Sequence, residues 1–134
     1  MNYVADTHAI VRFLYKHLAL GHAAKAAFDA CTAGTAQIYI PAVVISEMIM
    51  VVERKRVLSI TMSELIKDIT NLDNDPNYTL LPLAPDLVIA SHTLTAILDI
   101  FDRLIVAEAR RLNIPLITRD TVIMAAGLVA TVWD

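Results

Sequence analysis

Short, almost wholly apolar runs recur along this chain between segments of helical spacing, and that alternation constrains the fold more than any other feature. NYVAD (2–6), AQIYI (36–40), YTLLPL (78–83), PLIT (115–118) and VATVW (129–133) read as strands. None alternates cleanly between apolar and polar residues, so neither face meets water, as in a parallel sheet covered on both sides. Between them, residues 7–16, 22–33, 42–56, 61–71, 85–94 and 102–112 carry helical spacing, and 120–126 a short helix. Gly34 closes the second helix, Pro41 stops the second strand, and Thr61 with Glu64 has capping-box spacing. The polar stretch NLDNDPN (71–77) reads as a loop. The pattern predicts a three-layer α/β/α sandwich with a mostly parallel sheet of about five strands, as a single domain over residues 1–134.

A chain that is 57% hydrophobic and only 19% charged is not disordered, and so much apolar surface hints at coverage by a partner. Met48, Met50 and Met62 could contribute to such a face, although methionine in apolar runs commonly fills a core. A net charge of −3 supplies no general attraction to nucleic acid, so any nucleic-acid chemistry must reside in a local site. Glu47 and Glu53 interrupt the greasiest stretch before it reaches the roughly 18 apolar residues of a membrane span. The start MNYVADTHA has no basic leader, and the single Cys31 suits a reducing compartment; both point to the cytoplasm.

In such a sheet each helix starts at the carboxyl edge of the strands, where ligands bind. Asp6 ends the first strand, Asp120 follows the fourth by two residues, and Asp102 begins the helix that leads into the fourth. Glu47 lies about five residues into the helix after the second strand, some 7 Å from its start. Its helical neighbours Val43, Val44, Met50 and Val51 are all apolar, so it faces inward. A buried lone carboxylate must be protonated, paired or metal-bound, and the nearest cations, Arg54 and Lys55, are two turns on. Asp6, Asp102 and Asp120, taken singly, read first as helix caps, and Asp99 with Arg103 as a surface pair. Caps do not account for Glu47 or for the shared rim. The histidines lack metal-ligand spacing, so an all-oxygen set points to Mg²⁺ or Mn²⁺ rather than zinc.

VADTHAIVRFL, VVISEM, FDRLIVAEARRLNIPLITRD and the terminal TVW resemble the PIN-domain ribonucleases, and more narrowly the VapC-type toxins of toxin–antitoxin pairs. The resemblance covers nearly the whole chain in order and spacing. It implies a PIN-like fold and a Mg²⁺- or Mn²⁺-dependent endoribonuclease, usually dimeric, held inactive by an antitoxin whose tail fills the acidic groove. The family's four acids fall on Asp6, Glu47, Asp102 and Asp120. Thr7, Ser46 and Thr118 correspond to polar positions beside these acids, and Arg103 and Arg119 to candidate contacts with the RNA phosphate or with neighbouring aspartates. The sequence departs from the family in placing Ile100 where relatives often carry proline, which leaves the role of Asp99 open, and in Arg12 and Phe13 of the first helix. A catalytically silent PIN-fold module that binds RNA or protein is the main alternative. A receiver-like phospho-acceptor domain fits poorly, because Asp6 stands alone at its strand end and no lysine follows Lys67.

Overall fold

A computed structural model describes residues 1–55 and 59–134. Its strands are β1 (Asn2–Ala5), β2 (Gln37–Pro41), β3 (Tyr78–Leu81), β4 (Leu116–Ile117) and β5 (Thr131–Val132). They form one sheet in the order β3-β2-β1-β4-β5, and every adjacent pair is parallel. Consecutive residues of a strand point to opposite faces, and Val4 and Ala5 of the central strand are both 0% exposed. Both faces are therefore covered, as the unbroken apolar runs require.

The cover consists of α1 (Thr7–Tyr15), α2 (His22–Thr32), α3 (Ala42–Glu53), α4 (Met62–Asn74), α5 (Pro85–Ala90), α6 (Ile100–Leu112) and α7 (Thr121–Ala126). Phe28 of α2 is wholly buried and stacks on Phe13 of α1, with ring centroids 4.4 Å apart. Met48 is core, so it does not belong to an interface; Met62 packs against the core and Met50 is half-buried. Among the described residues no helix is long and apolar enough to cross a membrane.

Several boundaries differ from those read in the sequence. Residues 71–74 are not loop but the last turn of α4, because Leu65, Ile69 and Leu72 share one helical face and the outer two are buried. The capping box that starts α4 is present, Thr61 and Glu64 each bonding the other's backbone N–H. The helix expected over 85–94 ends at Ala90 in a tighter turn over Ser91–Thr93. α3 stops at Glu53 rather than 56, and Arg56 lies outside the described residues. α6 starts at Ile100, two residues early, capped by Asp99 rather than led by Asp102.

The strand order positions the site. The chain runs outward from β1 to β2 and β3, then returns to lay β4 on the other flank of β1. The connection reverses between β1 and β4, and the crevice beyond their carboxyl ends is where open α/β sheets bind ligands. The amide of Asp6 donates to the Ile117 carbonyl at 3.1 Å, fastening the end of β1 to β4 at that crevice.

Candidate functional site

Asp6 leaves β1 and caps α1. Its Oδ1 accepts the Ala9 amide at 2.9 Å, and Oδ2 accepts the Thr118 hydroxyl. The same Thr118 oxygen accepts the Asp120 amide at 3.0 Å, and Asp120 caps α7 by accepting from the Ile123 amide, also at 3.0 Å. One threonine therefore links the two aspartates across the switch point. Both serve as caps, as their sequence positions suggested, while lining the crevice.

Glu47 is half-buried on α3 and accepts the Thr7 hydroxyl at 2.8 Å, which joins α3 to the first turn of α1. Asp99 caps α6 by accepting the amides of Phe101 and Asp102, at 2.8 and 3.1 Å. That frees the Asp102 side chain: standing inside the first turn, its carboxylate accepts no hydrogen bond among the described residues and is not a cap. Asp6, Glu47, Asp99, Asp102 and Asp120 together line a cleft of about 210 Å³, with Thr7, His8, Met50, Val51, Arg54 and Ile105. The four acids singled out in the sequence thus meet at one rim, and Asp99 is a fifth.

The electrostatics of the cleft are unfavourable as it stands. Burial, followed by repulsion from Asp99, Asp120, Glu47 and Asp6, pushes the Asp102 carboxyl up to about 7. Burial likewise raises Glu47, against the opposing hydrogen bond from Thr7, and raises Asp6, against those from Thr118 and Ala9. Neither Arg54 nor any other cation makes an ion pair with these acids among the described residues. Arg54 does line the cleft, seven positions from Glu47 and so on the same helical face; the sequence had set it aside as too distant.

The donor set fits a hard divalent cation: it is all oxygen, crowded with carboxylates and tied up in no ion pair among the described residues. It is not a closed cage. Among the described residues no three Asp, Glu, His or Cys side chains are gathered tightly enough to hold a metal ion as they stand. Carboxylates repel one another in a half-dry cleft, and magnesium keeps several of its waters even when bound, so it needs only a few protein oxygens.

The remaining candidates divide. Thr7, Asp99 and Thr118 sit at the acids, whereas Ser46 is exposed and outside the cleft lining. Among the described residues Arg103 pairs with no aspartate; its Nε donates to the Ile97 carbonyl at 2.5 Å and pins the loop before α6. Arg119 is exposed and makes no ion pair among the described residues. His8, which lacks metal-ligand spacing to the other histidines and is no candidate from the sequence, lines the cleft, and its charge favours the ionised forms of Asp6 and Glu47. Its place beside Thr7 in the first turn of α1 was the available signal. A larger groove of about 830 Å³ lies at the opposite edge of the sheet, near α5, the end of α6 and the approach to β5; Asp86 is the one acid in its lining.

A family model of the PIN domain matches residues 3–127. No curated protein matches significantly. Among solved structures, the chain is similar to one in the VapBC2 assembly from Rickettsia felis bound to a promoter DNA fragment, at 17% identity over the whole of both chains and a TM-score of 0.72. A chain of FitAcB from Neisseria gonorrhoeae matches at 18% identity, 96% of this chain and 95% of that one, and a TM-score of 0.66. VapC20 from Mycobacterium tuberculosis, described as a sarcin–ricin loop cleaving toxin, matches at 15% identity, 95% and 96% coverage, and a TM-score of 0.64. At these identities the likeness is one of fold.

Proposed function

The chain belongs to the PIN domain family, and from that membership we propose that it is a metal-dependent endoribonuclease that hydrolyses RNA phosphodiester bonds, acting as the toxin of a toxin–antitoxin pair. The observation that carries the proposal is the cleft itself. Five carboxylates from four segments of the chain surround one crevice at the switch point, without an ion pair among the described residues to neutralise them. Structural carboxylates do not collect in this way, because the repulsion costs stability and caps require no company.

In this mechanism Asp6, Glu47, Asp102 and Asp120 hold Mg²⁺ or Mn²⁺. When bound, the cation supplies the positive charge that lets a water lose its proton near neutral pH and offsets the charge on the departing oxygen. Thr7 and Thr118 fix the carboxylate rotamers of Glu47 and Asp6, so the ligands are aimed before substrate arrives. Asp99 holds the start of α6 and thereby the height of Asp102 on the rim. Asp102, whose carboxyl is pushed up to about 7 by burial and by the neighbouring acids, is ready to carry a proton near neutral pH when the cleft holds no cation.

The proposal includes a cytoplasmic location, an antitoxin and a second copy of the chain. Exposed apolar side chains on α5, on α6 and in the stretch that joins them, among them Ile89 (69% exposed), Phe101 (41%) and Leu98 (87%), support a covered surface. The likeness in fold to a chain of a toxin–antitoxin complex from Klebsiella pneumoniae, at 19% identity and a TM-score of 0.60, supports the antitoxin by analogy.

The test is incubation of purified protein with structured RNAs, with Mn²⁺ or with a chelator, beside Asp6→Asn prepared identically. Cleavage that needs the cation and is lost in the variant supports the proposal; equal cleavage by Asp6→Asn overturns it. The openness of the acid cluster favours one second reading, a silent PIN-fold module. Cation binding without turnover of any RNA would select that reading instead.

A further inference from the structure

The carboxyl edge of the sheet carries a second charged feature beside the acidic cleft, of opposite sign. Arg12 projects from α1, Arg119 stands between Thr118 and Asp120 in the β4–α7 connection, and Trp133 follows β5 at the same edge. The Arg12 guanidinium lies over the Trp133 ring, 5.6 Å from its centroid. Behind the ring the packing is close: a Cβ on Gly21 would stand 2.6 Å from Trp133 Cδ1 and 2.2 Å from its carbonyl oxygen. That carbonyl accepts the Ala24 amide at 2.9 Å, so Trp133 is fastened to the start of α2. Trp133 is therefore a fixed shelf, and Arg12 rests on it.

The Arg12 guanidinium spends one N–H on the Ala19 carbonyl at 3.2 Å, its only side-chain hydrogen bond among the described residues, and a guanidinium has five. Neither Arg12 nor Arg119 has an ion-pair partner among the described residues. Burial and the nearby charge of Arg119 lower the Arg12 pKa, while Asp6 opposes that shift. The Thr118 amide donates to the Val132 carbonyl at 3.2 Å, so Arg119 and Trp133, the residues that follow them, leave the sheet side by side, and Arg12 on the Trp133 ring shares that neighbourhood without an ion pair among the described residues. Two like charges held together without a counter-ion await an anion, just as the acids await a cation.

We propose that Arg12 and Arg119 form a phosphate subsite immediately outside the acidic cleft, which holds the RNA backbone one or two nucleotides from the bond that is cut, with Trp133 positioning Arg12. The subsite presupposes the RNA-cleaving reading. It explains how a chain of net charge −3, with acids at its centre, could hold a polyanion. It also moves the phosphate contact from Arg103, which is tied to Ile97, to Arg12. A protein carboxylate could pair with the same guanidinia. RNA is favoured because the subsite adjoins the cleft where a phosphodiester would have to lie.

The experiment measures binding of a fluorescent single-stranded oligonucleotide by the full chain in chelator, at several salt concentrations, for wild type, Arg12→Gln, Arg12→Lys, Arg119→Gln and Arg12→Gln/Arg119→Gln. Trp133 is the only tryptophan, so its intrinsic emission reports directly on the Arg12 shelf. Each Gln variant should weaken binding about five- to ten-fold, and Arg12→Lys should recover part of the loss. The double variant should flatten the dependence of log K on log salt by about 1.4, at roughly 0.7 per phosphate contact. Trp133 emission should change on adding oligonucleotide to wild type but not to Arg12→Gln. In cleavage assays with Mn²⁺, the loss should fall mainly on KM, with Mn²⁺ affinity measured by calorimetry unchanged.

Wild-type binding that neither arginine affects overturns the subsite and leaves the nuclease standing. No binding or cleavage of RNA by wild type, with or without Mn²⁺, overturns both. An acidic peptide that shifts Trp133 emission as strongly as the oligonucleotide, and competes with it through Arg12, reassigns the pair to a protein partner and overturns the proposal. Arg119 is exposed and makes no hydrogen bond among the described residues, so its variant tests the subsite without disturbing the fold.

Discussion

At the scale of single residues, the acids were legible and their supports were not. Asp6 and Asp120 sit at strand ends that any α/β reading places on one rim, and Glu47 stands out because its helical neighbours are apolar. The hydrogen bond from Thr7 to Glu47 joins residues forty apart, and no local pattern encodes it. The cap at α6 was misjudged by three residues because Asp99 and Asp102 are both plausible caps, and only backbone geometry decides. Two substitutions separate the roles. Thr7→Val should leave Glu47 unaimed and lower RNA cleavage about 10- to 100-fold, while Thr7→Ser retains most activity; cleavage by Thr7→Val at the wild-type rate would remove Thr7 from the site. Asp102→Asn should abolish cleavage yet stabilise the cation-free protein at pH 8, raising its melting temperature by roughly 2–5 °C, because the lost charge is repelled by four neighbours. A lower melting temperature in chelator would mean that the acids do not repel as described.

At the scale of elements, fold class was written in the alternation of apolar runs and helical spacing, and the all-parallel sheet agrees with it. Boundaries were harder where composition and packing disagree. NLDN is polar enough to read as loop, yet Leu72 completes a buried stripe with Leu65 and holds those residues in α4. The last strand shows the opposite error. VATVW reads as five strand residues, but only Thr131 and Val132 pair with β4, and Trp133 turns its carbonyl to the start of α2. No single-sequence pattern reveals that Gly21 is needed there. Since a side chain at 21 would collide with the Trp133 backbone, Gly21→Ala should destabilise the protein by about 1–3 kcal/mol and shift Trp133 emission toward that of exposed indole. Unchanged melting and emission would show that the terminal segment yields freely.

At the scale of the whole molecule, stability, pH and metal should be linked through the cleft. In the folded state Asp102 is raised from 3.8 to about 7, and Asp6 and Glu47 move in the same direction. A raised acid holds its proton more firmly in the folded chain than in the unfolded one. Between about pH 4 and pH 7 the folded state therefore binds more protons, and raising the pH through that window drains stability. The cation-free protein should melt at a lower temperature at pH 8 than at pH 5, contrary to the usual behaviour of a protein whose carboxylates are paired. Mn²⁺ should reverse the trend, because it competes with protons for the same oxygens and binds the ionised cleft best at pH 8. At a hundred times its dissociation constant a ligand of the folded state adds about 2.7 kcal/mol, roughly 10 °C for a chain of this size. Thermal melts at pH 5 and pH 8, in chelator and in Mn²⁺, check both signs at once. Melting that rises toward pH 8 in chelator, or that ignores Mn²⁺ at pH 8, would mean that the five acids are ordinary surface charges and that the cleft has no cation to explain.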